Sequence, residues 1–459
     1  MRIRLILWLC LLMTSPSYGQ DILQSYIDTA LQNNLALQKK QIDYRQQVAV
    51  LQEAKARFLP TLSLQARLSA AREGRVISIP VGDLVNPVYS NLNTLNQFGV
   101  MLSDNYPEIP PYPKISNVEE NFLRRQEQET VVRLQAPVYN PTVFANRRLQ
   151  GKLTQAEAVS VDAYRRELVK EVKLAYYRYL QATEGVSLYE NTRQLLQENV
   201  RTTESLYENH QVTLDQVYAA QARQRQVEQQ LAVARQQENS ARAYFNFLLN
   251  RPLEAKVSIA AARDLPTSVV ALEQAKRQAM LGKEELQHLD FAQQATEESV
   301  RLRKAAFLPS INLQADYGVQ GVDYNLDDDS DFFLGSLVLS WTLFDRSARQ
   351  RVEQATLDLQ RLQRQQEETE GQLQLQVIDA WYALQSAREQ YEQAEAEVEA
   401  AGRAFRLVDK KYRQGQANQL ALSDARTNMT NAENRLIIAR YGVHMRVAEL
   451  EYATAGYTL

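Results

Sequence analysis

The chain has 459 residues, a formal net charge of −3 and a pI near 5.9, so it lacks the basic bias with which proteins hold nucleic acid. Glycine and proline are scarce, at 15 and 13 residues, while Gln, Arg, Glu, Ala and Leu are abundant. That composition favours long helices and coiled coils over a string of ordinary globular domains. The single cysteine, Cys10, offers neither a disulfide nor a zinc site.

At the N-terminus Arg2 and Arg4 precede an apolar run from Leu5 to Met13 and the small-residue pattern Ser17-Tyr18-Gly19. Residues 1–19 read as a secretory signal peptide, and the mature chain is expected to start at Gln20. The apolar run is shorter than the roughly 20 residues a permanent membrane helix needs. Cys10 lies inside it behind Trp8 and Leu9, which predicts no lipid anchor. No other long apolar segment follows, so any entry into a membrane must be made by strands.

Helix is expected over about 21–57, followed by a strand in which Leu62, Leu64, Ala66, Leu68 and Ala70 alternate with Thr61, Ser63, Gln65, Arg67 and Ser69. A long proline-containing loop, about Arg72 to Glu127, leads to a second alternating strand through Val132, Leu134, Ala136 and Val138. A loop of that length is usually functional and is a candidate cap for an outer opening. Helices are predicted over 143–206 and 213–250, a helix-poor linker over 251–267, and a helix over 268–306. Two more strands carry Ile311, Leu313, Ala315, Tyr317 and Val319, then Leu337, Leu339, Trp341 and Leu343. Helices over 345–412 and 418–452 and a tail, 453–459, complete the chain. From Ala380 through Leu384, Ala387, Tyr391, Ala394, Val398, Ala401, Phe405 and Val408 to Tyr412, apolar residues recur in alternating steps of four and three. That is a heptad seam.

The order is written twice. Ala175-Tyr176-Tyr177 corresponds to Ala380-Trp381-Tyr382, and Leu134 to Asn140 to Leu339 to Asp345, at an offset of 205. Upstream, Phe58-Leu59-Pro60-Thr61-Leu62 corresponds to Phe307-Leu308-Pro309-Ser310-Ile311 at an offset of 249. The 44 extra residues belong to a loop insertion in the first copy. Residues 20–250 and 268–452 are thus expected to be two structural repeats.

Alternation alone fits a half-buried soluble sheet as well as a membrane strand. Segments of about 10 residues joined by one short and one long loop favour the membrane. Four strands cannot close a barrel, and each unpaired peptide group in lipid costs several kcal/mol, so the membrane reading requires strands pooled between chains. The other reading is a secreted coiled-coil scaffold or stalk without channel activity.

The duplicated junctions FLPTLSL and FLPSINL, the helix end Leu248-Leu249-Asn250-Arg251-Pro252, the turn Tyr412-Arg413-Gln414-Gly415, and the restarts TLDQVYAAQ (213–221) and NQLALSDAR (418–426) together resemble the TolC-like outer membrane efflux protein family. The resemblance implies a mixed α and β fold. In it, a homotrimer closes a 12-stranded transmembrane β-barrel, four strands per chain, continued by a long periplasmic α-helical barrel. It also implies a cell outer membrane location and a passive exit duct for an inner-membrane pump, joined through a periplasmic adaptor protein. No cofactor and no catalysis are expected.

By the same resemblance, the tip residues His210, Gln211, Val212, Thr213, Gly415, Gln416, Ala417 and Asn418 would meet the adaptor. His210 stands where the family usually has glycine. Asp424, Asp215 and Tyr412 are the periplasmic gate candidates, and Ala421 occupies a position where a second acidic residue is usual. Each of these also fits an ordinary solvated turn or surface role. Asp327, Asp328, Asp329 and Asp331 read as a solvated loop, without the glycine and distal Glu of a calcium loop. His210, His288 and His444 have no ligand or triad spacing, and no phosphate loop or nucleophile motif occurs.

Overall fold

The computed structural model describes residues 18–103, 107, 109–123, 125–259, 270–322, 330–414 and 416–457. The predicted signal peptide through residue 17, Gly415 and Asp327 to Asp329 lie outside them. In chain order the elements are α1 (Tyr18–Asn33), α2 (Leu35–Ala56), β1 (Thr61–Ala70), β2 (Val76–Ile79), α3 (Val81–Leu102), β3 (Val118–Asn121), β4 (Gln126–Tyr139), α4 (Pro141–Glu208), α5 (Leu214–Leu248), α6 (Leu272–Gly282), α7 (Glu284–Ala305), β5 (Ser310–Gly321), β6 (Asp331–Ser340), α8 (Arg346–Arg413) and α9 (Gln419–Ala453). They divide between two compact units. One lies within Met1–Glu53, Ala145–Arg303 and Ser347–Leu459, the other within Ala54–Phe144 and Lys304–Arg346.

The helical unit is built on α4 and α8, each 68 residues and so about 100 Å long at 1.5 Å per residue. Asn140 starts α4 as its N-cap, accepting from the Thr142 backbone N–H at 3.1 Å. Pro141 then occupies the first helical position, where a missing N–H costs nothing. The main core gathers Ile27 and Leu37, Val172, Tyr176 and Leu180 of α4, and Phe245 and Leu249 around the end of α5. Tyr26 meets Phe245 edge to face at 5.0 Å. In α8 all ten seam residues from Ala380 to Tyr412 are buried or half-buried, and Leu384, Val443 and Leu450 form the packed centre of the α8–α9 hairpin.

The predicted helices 21–57 and 268–306 are each broken once, at Asn34 and Lys283. Asn34 is buried, donates from Nδ2 to the Leu248 carbonyl at 2.9 Å and accepts from the Ala36 and Leu37 N–H groups at 3.0 Å. It is therefore the cap of α2 and a tie to the end of α5. Lys283 caps α6 in an extended conformation (φ −73°, ψ 126°). The helix-poor 251–259 segment packs on this core through Val257 and a 2.8 Å bond from the Ser258 N–H to the Tyr26 hydroxyl. Helix α9 runs on to Ala453, so the tail is one residue shorter than predicted.

The strand unit holds an antiparallel sheet in the order β1-β4-β5-β6. Registers such as Leu64↔Val132, Val132↔Tyr317 and Tyr317↔Phe333 put the predicted apolar positions of β1, β5 and β6, and those of β4 up to the bulge between Pro137 and Tyr139, on one face. That face stays bare within the chain: Leu62, Leu64, Leu68, Phe333 and Leu337 are each about two-thirds exposed or more. The opposite face is polar. Arg133 grips Asp316 with two bonds of 2.9 Å and reaches Gln65 at 3.1 Å, and Arg67 pairs with Glu129 at 2.8 Å. Among the described residues, β1 and β6 have no strand on their outer sides. Strand β6 ends at Ser340, so Trp341 and Leu343 lie beyond it, with the Trp341 indole donating to the Phe307 carbonyl at 2.9 Å.

Within the predicted loop Arg72 to Glu127 the described residues include folded elements. Strands β2 and β3 pair as an antiparallel ribbon, and the 22-residue α3 stands between them. Its sequence hides the helix because asparagine is a poor helix former and Pro87 interrupts the run.

Replacing Asn34 removes a buried cap and an inter-element hydrogen bond together. Asn34→Ala is expected to destabilise the helical unit by about 1–3 kcal/mol, read as a lower midpoint in denaturant unfolding.

Candidate functional site

The tips of the two helical hairpins carry the predicted adaptor and gate residues. At the first, α4 ends through bonds from the His210 N–H to the Tyr207 carbonyl at 2.9 Å and from the Gln211 N–H to the Leu206 carbonyl at 2.8 Å. This pair of bonds is a Schellman cap with His210 at the position after the C-cap, held at φ +58°. The histidine thus takes the left-handed conformation that a glycine would adopt without steric cost. At the second tip the Gln416 N–H bonds to the Lys411 carbonyl at 2.8 Å, the counterpart of the Gln211 bond. Asn418 then caps α9, accepting from the Ala421 N–H at 2.9 Å, and Thr213 takes the equivalent place before α5. His210, Gln211, Thr213, Gln416 and Asn418 are exposed, with Val212 and Ala417 half-buried.

Behind the tips, the two hairpins enclose a cleft of about 750 Å³ that brings Asp215 and Tyr412 to one wall system with Asn199, Arg223, Phe405 and Arg426. Asp424 is exposed on α9 and does not line it. Burial raises the Tyr412 phenol above its ordinary value, with Thr203 opposing. Burial also lowers the Arg426 guanidinium, which sits 5.2 Å from the Phe405 ring centroid. Two polar contacts clamp the hairpins together here: Gln419 Nε2 donates to Asn199 Oδ1 at 2.9 Å, and Arg223 donates to the Thr427 hydroxyl. Asn199, Arg223 and Thr427 carry no motif, each being an ordinary helix-surface residue until the two hairpins are laid side by side, whereas Gln419 and Arg426 fall within the 418–426 restart.

The α4–α9 seam continues away from the tips. Glu184 accepts from Arg440 at 3.2 Å and from the Tyr441 hydroxyl at 2.8 Å, and the His444 ring stacks on Tyr177 at 4.8 Å. Burial pushes the Tyr177 phenol up to about 12, helped by Glu451. Further along, Arg166 makes a buried ion pair with Glu284 at 2.8 and 2.9 Å and donates to the Tyr457 carbonyl. The fully buried Lys283 ammonium lies 3.7 Å from the Tyr452 ring centroid and 3.4 Å from Glu285; its burial lowers its pKa against the pull of both glutamates. Lys173 binds Glu451 at 2.6 Å and faces Tyr457 at 4.7 Å. These contacts tie the C-terminal tail to α4 and α7. Among the described residues no group of His, Cys, Asp and Glu could hold a metal ion, and no helix is long and apolar enough to cross a membrane.

A hairpin sheet attached in sequence to paired long helices defines the class: a TolC-like outer-membrane channel fold. Residues 275–456 match the family described as outer membrane efflux protein, the family that the sequence resembles. No curated protein matches the chain by sequence. Among solved structures, a membrane protein from Pseudomonas aeruginosa superposes with a TM-score of 0.76 at 17% identity, over 94% of this chain and 93% of that one. The Campylobacter jejuni CmeC outer membrane channel gives 0.75 at 16%, over 95% and 86%. The Vibrio cholerae outer membrane protein VceC gives 0.73 at 16%, over 96% and 98%.

The stacked histidine gives the seam a pH dependence. Burial first, and Arg440 second, push His444 down to about 4 from an ordinary 6.5. The unfolded chain therefore takes up its proton before the folded one does as pH falls. The neutral ring's contribution is complete above about pH 6.5 and is lost progressively as pH falls toward 4, a change on the order of 3 kcal/mol. His444→Phe is expected to flatten the stability profile across that window, measured as unfolding midpoints between pH 4 and 7.

Proposed function

We propose that this chain is one protomer of a homotrimeric outer-membrane exit duct. In this reading it passively conducts substrates delivered by an inner-membrane pump through a periplasmic adaptor. The observation that carries the reading is the four-stranded sheet. One face is largely apolar and exposed, the other mainly polar, and among the described residues both edges are open. Three copies supply twelve strands, an even number that closes an outer-membrane barrel with its apolar face to lipid and its polar face, with Arg133 and Asp316, toward the lumen. The long helices then form the periplasmic part. Residues 1–19 act as the export signal.

The two-repeat organisation is supported by element lengths. Helices α4 and α8 match at 68 residues and α5 and α9 at 35, all displaced by 205 positions. Helices α2 and α7 match at 22 residues, displaced by 249, and the breaks at Asn34 and Lys283 share that offset.

In this assembly His210 to Thr213 and Gly415 to Asn418 form the adaptor-facing rim. Asp424, exposed on α9, contributes one carboxylate per protomer to a ring that favours cations, while Asp215 and Tyr412 in the cleft hold the hairpins in their resting arrangement. With Ala421 in place of a second acid, the ring is thin.

The purified protein is expected to be a detergent-stable trimer that conducts ions across planar bilayers, and Asp424→Ala is expected to reduce its cation selectivity. A non-conducting monomer in detergent would overturn the duct; unchanged selectivity in a conducting trimer would remove Asp424 from the constriction.

A further inference from the structure

Helix α3 is amphipathic in an inverted sense. Its polar side is the side the chain covers. Asn86 exchanges two hydrogen bonds with the peptide of Ile115, at 2.7 and 2.8 Å, and Asn93 does the same with Tyr112, at 3.1 and 2.7 Å. Seven helical residues advance about 10.5 Å and three extended residues about 9–10 Å. Asparagines seven apart therefore stay in register with peptides three apart along a returning strand that Pro110, Pro111 and Pro113 keep extended. Asp83 and Asn117 extend the ladder, with bonds of 3.1 and 2.9 Å, and Tyr89 stacks on Tyr112 at 5.0 Å. At Gly82 an added Cβ would come within 2.5 Å of the Ile115 carbonyl oxygen, so the two backbones are in direct contact.

The opposite side is bare. Leu84, Val88, Leu95, Phe98 and Leu102 are exposed by 72, 55, 64, 57 and 83%. With Asn91 they follow steps of 4, 3, 4, 3 and 4, a stripe opposite the asparagine ladder, with Leu92, Val100 and Met101 exposed outside it. This is the spacing of a coiled-coil seam, and one asparagine within such a seam is a register device that pairs best with its own copy. A helix lying on a lipid surface carries basic flanks; α3 has one charged residue, Asp83, and no Lys or Arg.

We propose that the occupant of this seam is α3 of neighbouring copies, so that the first-repeat insertion forms a helical collar at the outer opening. The proposal rests on the pooled-sheet reading, because the insertion springs from β1 and β4 and the β1 edge needs a neighbouring copy.

The test uses full-length protein with Cys10→Ser, carrying Leu95→Cys or, on another face of α3, Gln97→Cys, oxidised in detergent after the trimer has been verified by mass and conductance. Leu95→Cys is expected to give cross-linked protomers and Gln97→Cys none. In parallel, the Leu95→Asp, Phe98→Asp double variant is expected to keep the trimer and to conduct several-fold more than the parent. A verified trimer in which Leu95→Cys fails to cross-link, or is instead modified by a lipid-phase thiol reagent, overturns the collar and leaves the duct standing. Absence of any trimer overturns the duct reading on which the collar depends.

Discussion

Peptide groups at the edge of a sheet need partners, and the apolar face of this sheet removes water as the partner of choice. Four strands bring Leu62, Leu64, Leu68, Tyr317, Phe333 and Leu337 onto one surface, where all six are more than half exposed. Burying that surface in lipid would leave the outer N–H and C=O groups of β1 and β6 unsatisfied, at several kcal/mol each. Pairing β1 of one copy with β6 of the next removes the penalty. The proposed trimer, the lumen lined by the Arg133–Asp316 pair and the position of the α3 collar all descend from that single requirement.

The helical unit solves a different problem. Its hairpins are long and thin, so each residue pair contributes little, and stability is gathered along the whole α4–α9 and α8–α9 seams. Alanines at Ala380 and Ala387 allow close approach within the second hairpin, whereas α4 meets α9 through the polar contacts of Glu184 with Tyr441 and Asn199 with Gln419 as well as the packing of Ile437, Tyr441 and Met445 on the core. Near the tips the contacts between hairpins are polar, an arrangement in which hairpins held together elsewhere by apolar packing slide past one another at modest cost at their ends. In the proposed duct that property suits a mouth that opens. The buried cluster of Arg166, Glu284, Lys283 and Tyr452, with the tail at Tyr457, fixes the far end of the same seam.

Periodicity made much of this legible before any coordinates. The alternation in 61–70 and 311–319 fixed strand faces that the registers reproduce, and the 4-3 spacing from Ala380 to Tyr412 marked ten positions that are all sheltered. Long-range contacts were not legible. The breaks at Asn34 and Lys283 depend on partners across the fold, the Leu248 carbonyl and the Tyr452 ring, and no local signal announces them. Helix α3 escaped because its asparagines suit loops unless a returning strand is present to accept their amides. At the tips, sequence singled out Asp215 and Tyr412, which share a cleft, but also Asp424, which stands outside it. Arg223 and Asn199 carried no motif, being selected only by the packing of α4 and α5 against α9.

Hydrogen exchange at the sheet edges tests the central claim most directly. In the purified protein in detergent, the amides of β1 and β6 that point away from β4 and β5 are predicted to exchange as slowly as those of the two inner strands, because each is bonded to a neighbouring copy. Exchange at the rate of an open edge, with β4 and β5 protected, would contradict the shared barrel.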